Sequence, residues 1–266
     1  SNGFGGCSYC SDEGSGDFAG DVHDSLKVQF ELVKQQLHKK WHDAKYIAYF
    51  QAHTNTYAPL SVLQNLFEEV LTYENVVGLS IATRADCLED DVVEYLYNLS
   101  CRTYLIVELG LQTIHDETAN KINRCHSYAD FLNGYNKLKS RGINVCVHII
   151  NGLPGETRQM MVKTGLEVGK LNPHCVKIHL LHVLKNTVIA NQLQNNEFSL
   201  LSLDEYINIV CDQLEVLPQS VIIQRVTGDA DPQKLIGPLW SMKKFVVMNE
   251  IDKELARRKS FQGKLI

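Results

Sequence analysis

Thr103-Tyr-Leu-Ile-Val-Glu108-Leu-Gly110-Leu-Gln112 is an apolar run of strand length that ends in polar residues. It is apolar on both faces, which is typical of a strand that is covered on both sides in a parallel sheet. A predicted helix, 88–99, precedes it, and a longer helical region, 114–140, follows it. Helix, buried strand and polar strand end therefore form one repeat of an α/β fold.

The same repeat runs along the chain. Strands are predicted at 46–50, 76–82, 103–109, 144–150, 175–181 and 221–225. Helices are predicted at 26–41, 60–71, 88–99, 114–140 with a break near 124–127, 159–170, 203–217 and 241–259. Because crossovers between parallel strands are right-handed, such a chain folds as a barrel or as an open doubly wound sheet.

Polar side chains gather where the predicted strands end, and this favours the barrel. They are His53, Asn55, Arg84, Glu108, Gln112, His148, Asn151, His179, His182, Lys185, Gln224 and Arg225. In parallel α/β proteins the carboxyl ends of the strands carry the chemistry. A single polar residue at a strand end is commonly structural, but twelve of them at strand ends indicate a functional site.

Composition is that of a globular protein with one large core. The chain has 266 residues, 44% of them hydrophobic and 21% charged, and a net charge of −5. The acidic balance gives no overall attraction to nucleic acid. No apolar run is long enough for a membrane helix and no signal peptide is visible, so we expect no membrane partner and a cytoplasmic location.

A cysteine pair near the start is the strongest chemical signal. In Gly3-Phe-Gly-Gly-Cys7-Ser-Tyr9-Cys10, two thiols lie three positions apart between glycines. Spacing alone leaves open a zinc site, a redox dithiol and part of an iron–sulfur site. Since a cysteine loop at the carboxyl end of the sheet should follow a strand, the first strand of the barrel is expected to be missing from this sequence.

Linked motifs along the whole chain resemble the radical S-adenosylmethionine (SAM) proteins of the YhcC/YtqA type, whose core is similar to that of Elongator-type enzymes. The motifs are Gly-Gly-Cys7-Ser-Tyr9-Cys10, Gly14-Ser-Gly16-Asp-Phe-Ala-Gly20, Thr83-Arg84-Ala-Asp86, Glu108-Leu-Gly-Leu-Gln112, His148-Ile-Ile-Asn-Gly152-Leu-Pro-Gly155-Glu156, Lys177-Ile-His179-Leu-Leu-His182-Val-Leu-Lys185, Gln224-Arg225-Val-Thr-Gly228-Asp229 and Trp240-Ser-Met-Lys-Lys. The resemblance implies a partial (β/α) barrel of the radical SAM type over residues 1–240, with a C-terminal helical extension, 241–266, packed on it.

The resemblance also implies a [4Fe–4S] cluster and SAM as cofactors. Cys7 and Cys10 would be the last two of three cluster ligands, the first lying farther upstream in the family. Tyr9 would lie near the adenine, and Glu108 would accept hydrogen bonds from the SAM amine or ribose. The other predicted SAM contacts are Gly16, Gln112, Gly152 and Gly155.

The implied reaction begins with reductive cleavage of SAM, driven by an electron donor such as flavodoxin or ferredoxin. The radical then abstracts hydrogen from a substrate, for which a tRNA wobble-uridine side chain is the candidate. Predicted substrate contacts are His148, His179, His182, Lys185 and Arg225. Binding of tRNA by an acidic chain needs a local basic edge, for which the cations are Lys39, Lys40, Lys243, Lys244, Arg257, Arg258 and Lys259.

Two other functions fit parts of the sequence. One is a TIM-barrel lyase or hydrolase in which Lys185 or the histidines act as acids and bases. The other is a binding module with a zinc ion at Cys7 and Cys10, completed by ligands from a partner.

Overall fold

The computed structural model describes residues 6–10, 20–38 and 43–266, so Gly16, Lys39 and Lys40 lie outside the described residues. The strands are Tyr46–Phe50 (β1), Val76–Thr83 (β2), Tyr104–Gln112 (β3), Asn144–Asn151 (β4), Cys175–Leu180 (β5), Val183–Leu184 (β6), Ile222–Arg225 (β7) and Leu235–Gly237 (β8). The helices are Leu26–His38 (α1), Leu60–Leu71 (α2), Asp90–Ser100 (α3), Asp116–Lys121 (α4), Tyr128–Ser140 (α5), Arg158–Leu171 (α6), Val188–Gln194 (α7), Leu203–Glu215 (α8) and Lys244–Arg258 (α9), with a 3₁₀ turn at Leu239–Met242.

The six predicted strands form one sheet in the order β1-β2-β3-β4-β5-β7. The pairs β1–β2, β2–β3, β4–β5 and β5–β7 are parallel, which confirms the predicted α/β fold with a mainly parallel sheet. A separate antiparallel pair, β6–β8, and helix α7 were not predicted. Strands of two and three residues are too short to show a hydrophobic period.

The described residues divide into two compact units, and the first comprises 20–38, 43–109 and 132–145. Leu79 of β2 and Val107 of β3 lie at its centre with no exposed surface. Phe67 of α2 covers this sheet, and its ring packs edge to face on Phe50 at a centroid distance of 4.9 Å. Apolar side chains on both sides of the strands explain why the sequence pattern is continuous rather than alternating.

The second unit comprises residues 6–10, 110–131 and 146–266. Its strands β4, β5 and β7 are covered by α6 and α8, with Val176, Val168 and Val210 fully buried. Helix α9 packs against α8 through the buried Val247 and Ile251. Among the described residues, no helix combines the length and apolar character needed to span a bilayer.

Candidate functional site

Cys7 and Cys10 lie on one tight turn, in which the Cys10 N–H donates to the Cys7 carbonyl at 3.1 Å. Two further backbone bonds hold this turn. The Ser8 N–H donates to the Ile122 carbonyl at the end of α4 (2.9 Å), and the Ile189 N–H at the start of α7 donates to the Ser8 carbonyl (3.0 Å). Both thiols are half-buried and neither forms a disulfide. The backbone therefore positions the pair.

The donor chemistry of this turn fits a metal centre. Cysteine thiolates are the usual protein ligands of iron–sulfur clusters and are common zinc ligands. Between the two thiols, the buried Ser8 hydroxyl has no hydrogen-bond partner within the described ranges. A buried hydroxyl without a partner costs free energy, so its position suits a bound group that would satisfy it. Cys7 and Cys10 thus fit as part of a cluster ligand set.

The Tyr9 ring lies beside these thiols and packs against a buried apolar cluster. The cluster consists of Ile122, Ile150, Leu153, Leu181, Val183, Ile189 and Ala190. Desolvation raises the pKa of the Tyr9 phenol well above its usual value, and Cys7 and Cys10 raise it further, whereas Arg124 lowers it. The phenol therefore stays neutral and keeps its hydroxyl proton as a hydrogen-bond donor.

Arg124 ties the chain after α4 to the end of β3. Its buried guanidinium donates to the Thr113 carbonyl at 2.9 Å and to the His126 carbonyl at 2.8 Å, and it also bonds the Leu111 carbonyl. No sequence pattern indicated this residue, because an arginine in a helical region carries no signal that it will be buried on backbone carbonyls.

Gln112, the last residue of β3, has a backbone φ of +66°, in the left-handed region that most residues avoid. Its side-chain Oε1 is buried and accepts no hydrogen bond from any described residue. Gly152 and Gly155, in the turn after β4, have φ values of +89° and +84°, where a side chain would be strained. The predicted SAM contacts of these three residues stay predictions.

Glu108 belongs to the first unit, where it lies on β3 and is 3% exposed. The Tyr49 hydroxyl donates to Glu108 Oε2 at 3.0 Å, and the Ser80 hydroxyl bonds Oε1. Hydroxyl donors thus hold the carboxylate in a fixed direction. Its contact with SAM also stays a prediction.

Four of the five predicted substrate residues lie together in the second unit. The His148 and His179 rings on β4 and β5 are 5.1 Å apart between centroids. Arg225 of β7 and His182, just after β5, are close enough to both affect the pKa of His179. Lys177 belongs to the same group, and two-residue spacing from His179 is the signal that could have identified it.

Lys185 lies elsewhere. The chain leaves β5 at Leu180 and enters β6, and the exposed Lys185 ammonium donates to the Gln233 carbonyl at 2.8 Å. The Lys185 N–H also bonds the Lys234 carbonyl. In the structure this lysine therefore joins the two sides of the β6–β8 pair.

The predicted basic edge is largely neutralised by ion pairs. Arg258 pairs with Asp212 and with Glu254, both at 2.7 Å, and its role as a phosphate contact stays a prediction. Arg257 also pairs with Glu254 at 2.6 Å, and Lys244 pairs with Asp229 at 2.8 Å. Glu254 lies three or four positions away on α9, Asp212 lies on α8, and Asp229 lies in the loop after β7.

Comparison with known proteins gives matches over nearly the whole chain. The Radical SAM superfamily profile matches residues 4–166, and the Radical SAM C-terminal domain profile matches residues 173–257. The protein YtqA of Bacillus subtilis (strain 168) is 54% identical over 260 residues, which are 98% of this chain and 81% of YtqA. The protein YhcC of Escherichia coli (strain K12) is 32% identical over 254 residues, which are 95% of this chain and 81% of YhcC.

More distant matches extend to tRNA-modifying proteins. A tRNA uridine(34) acetyltransferase of Methanocaldococcus jannaschii is 28% identical over 156 residues, covering 58% of this chain and 28% of that protein. The structure of an archaeal Methanocaldococcus infernus Elp3 with an N-terminal deletion matches with a TM-score of 0.63 at 22% identity, covering 75% of this chain and 46% of that one. At that identity the likeness shows the fold, and it confirms the partial barrel of the radical SAM type.

Proposed function

We propose that this protein is an iron–sulfur enzyme acting on SAM, because the chain belongs to the radical SAM superfamily and to its YhcC/YtqA group. The observation that carries the proposal is the Cys7–Cys10 turn, whose half-buried thiols are positioned by backbone hydrogen bonds. Cys7 and Cys10 would hold a [4Fe–4S] cluster, which would supply the electron for reductive cleavage of SAM to methionine and a 5′-deoxyadenosyl radical that would abstract hydrogen from the substrate. The protein binds the cofactors, orients the substrate and excludes water.

Cys7 and Cys10 are proposed as two of the cluster ligands. The proposed SAM contacts are Tyr9, Gly16, Glu108, Gln112, Gly152 and Gly155. Three observations support this set. Tyr9 offers a neutral ring on an apolar cluster, Gln112 has a buried acceptor without a partner among the described residues, and Glu108 has a carboxylate held by hydroxyls. An aromatic ring and fixed polar groups are what a nucleoside and an amino-acid group require.

The side chain of a tRNA wobble uridine is the substrate that we propose. Its support is the similarity to a tRNA uridine(34) acetyltransferase and to Elongator complex protein 3 of Mus musculus. A base that reacts with an enzyme must leave its stack and enter the site. The proposed contacts are His148, His179, His182 and Arg225, and Lys185 is the fifth candidate at the β6–β8 pair. Flavodoxin or ferredoxin is the proposed electron donor.

The SAM reaction is tested on the full-length protein. It is reconstituted anaerobically with iron and sulfide, reduced and then incubated with SAM. We expect 5′-deoxyadenosine by mass spectrometry, and loss of it in Cys7→Ala and Cys10→Ala. Cys101→Ala is the matched control, because this exposed thiol lies at the end of α3. Tight zinc binding without iron–sulfur absorbance or 5′-deoxyadenosine would instead identify a zinc-binding module, and turnover without SAM would identify a lyase or hydrolase.

The tRNA substrate needs its own test. The reduced enzyme is incubated with SAM and an anticodon stem-loop carrying a wobble uridine, and the nucleosides are then analysed by mass spectrometry. We expect a mass change confined to that uridine. The matched control is the same RNA with a wobble cytidine, which should remain unchanged. Formation of 5′-deoxyadenosine with no change in either RNA would show that the enzyme acts on another substrate.

A further inference from the structure

Three neighbouring strands of the second unit place cationic and imidazole side chains on one face. His148 of β4 pairs in register with Lys177 of β5, and Lys177 pairs in register with Arg225 of β7. Residues in register on adjacent strands point to the same face, and so do residues two apart on one strand, which adds His179. A register shift at Val176/Lys177 interrupts the β5–β7 ladder, so Arg225 is assigned to this face by its electrostatic effect on His179 and His182. All four side chains are half-buried. We call these four residues and His182 the basic face.

The basic face has hydrogen-bonding groups that no described residue uses. The Nε2 atoms of His179 and His182 are buried and have no partner in the described part of the chain. Because most buried polar groups are paired, such a cluster indicates a place for a ligand.

A glycine allows this arrangement. A Cβ atom on Gly228 would lie 3.1 Å from His182 Cε1 and 3.7 Å from His179 Nδ1. The backbone of Gly228 therefore packs against both rings. A Cβ atom there would press on the His182 ring and would only touch His179 at van der Waals distance. Gly228 lies three residues after Arg225, in the loop that follows β7.

The charges of the basic face are positive. Burial lowers the pKa of His179 well below its usual value, and His148, Arg225 and Lys177 lower it further. Burial also lowers the pKa of His182 to about 4, with Asp229 opposing the shift and Arg225 adding to it. Asp229 is itself paired with Lys244 at 2.8 Å. At neutral pH the His179 and His182 imidazoles are therefore neutral, and they lie beside the side chains of Lys177 and Arg225.

We infer that the basic face binds a phosphate group. An arginine guanidinium binds two phosphate oxygens at once, a lysine ammonium adds a compact charge, and an imidazole N–H donates one further bond. That this phosphate is part of the substrate rests on the proposed function, whereas the binding site rests on geometry alone.

The test uses the full-length protein as purified, without SAM or reductant. Calorimetric titration with inorganic phosphate and with uridine 5′-monophosphate should show saturable binding, and uridine should bind far more weakly. Arg225→Gln and Lys177→Met should each lower the affinity about tenfold or more, because a charge-assisted hydrogen bond is lost. Gly228→Ala should lower it by shifting the His182 ring. Circular dichroism verifies that each variant is folded.

Lys163→Met is the matched control, since this exposed lysine of α6 lies outside the basic face and should leave the affinity unchanged. A phosphodiester, the dinucleotide UpU, distinguishes the source: tighter binding than uridine 5′-monophosphate indicates RNA, and weaker binding indicates a small phosphorylated molecule. No saturable binding, or equal affinity in Arg225→Gln, Lys177→Met and the wild type, would overturn the inference. Neither result depends on SAM cleavage, so the two proposals can fail separately.

Discussion

The side-chain amides of Asn151 and Gln213 bond each other in both directions, with each nitrogen donating to the other oxygen at 2.8 Å. Asn151 ends β4 and is 1% exposed, and Gln213 on α8 is fully buried. The Gln213 amide also donates to the Met161 carbonyl of α6 at 2.9 Å. This pair joins a strand to two helices at the residue before Gly152, where the proposed SAM-binding turn begins.

Gln213→Leu should lower the free energy of unfolding by about 1–3 kcal/mol, because it leaves the buried Asn151 amide without its partner. Urea denaturation measures the change. The double variant with Asn151→Leu should recover part of the loss, since neither amide is then left alone. Strictly additive losses in the double variant would show that the two amides are not coupled.

Gly134→Ala should destabilise the protein although alanine is the better helix former. A Cβ atom at Gly134 would lie 2.2 Å from the Ala85 carbonyl oxygen, so that α5 would have to move away from the chain after β2. We expect a net loss of about 1–3 kcal/mol, as for other overpacked sites. Asn133→Ala, at the exposed neighbouring position of α5, is the control and should be neutral or slightly stabilising. Equal melting temperatures for the two variants would contradict the close contact.

His182 should make stability depend on pH. Its folded pKa is lowered from 6.5 to about 4 by burial, so the unfolded chain takes up a proton first as the pH falls. The free energy of unfolding is therefore unaffected by this group above pH 6.5. It falls between pH 6.5 and about pH 4, by at most about 3 kcal/mol in total. Unfolding free energies measured from pH 7 to pH 4 should decrease less steeply in His182→Gln. Parallel curves would contradict the buried neutral imidazole.

Arg258 and Arg257 share a carboxylate partner but should differ in their effect. The Arg258 side chain is 16% exposed and bonds Asp212, Glu254 and Glu215, whereas Arg257 is 72% exposed and pairs with Glu254 as its one carboxylate among the described residues. Arg258→Met should cost about 1–3 kcal/mol, because Glu215 loses this charged partner, whereas Asp212 keeps Arg158 and Glu254 keeps Arg257. Arg257→Met should change little, since exposed pairs contribute little. Thermal melting compares them, and equal shifts would show that α9 is not held by Arg258.

Hydrophobic patterning predicted the six sheet strands and the break between α4 and α5, because long buried elements leave a continuous or periodic signal. Residue types at strand ends also indicated most of the candidate site, including His148, His179 and Arg225. Lys177 follows from its two-residue spacing to His179. Such features depend on local sequence, which is why they were visible.

Contacts between distant parts of the chain were not visible. Arg124 bonds carbonyls eleven and thirteen residues away, and Arg258 finds Asp212 on another helix. Lys185 appeared to continue the motif of His179 and His182, but the chain changes direction after β5 and directs it to Gln233. Partner choice in these cases is made by tertiary packing, which no single-sequence pattern encodes.

The electron paramagnetic resonance spectrum of the reduced, reconstituted full-length protein tests the central claim most directly. We predict a [4Fe–4S] signal that changes when SAM is added and that is lost in Cys7→Ala and Cys10→Ala but kept in Cys101→Ala. A cluster signal that persists unchanged in Cys7→Ala and Cys10→Ala, or that does not respond to SAM, would contradict the assignment of this turn to a radical SAM centre.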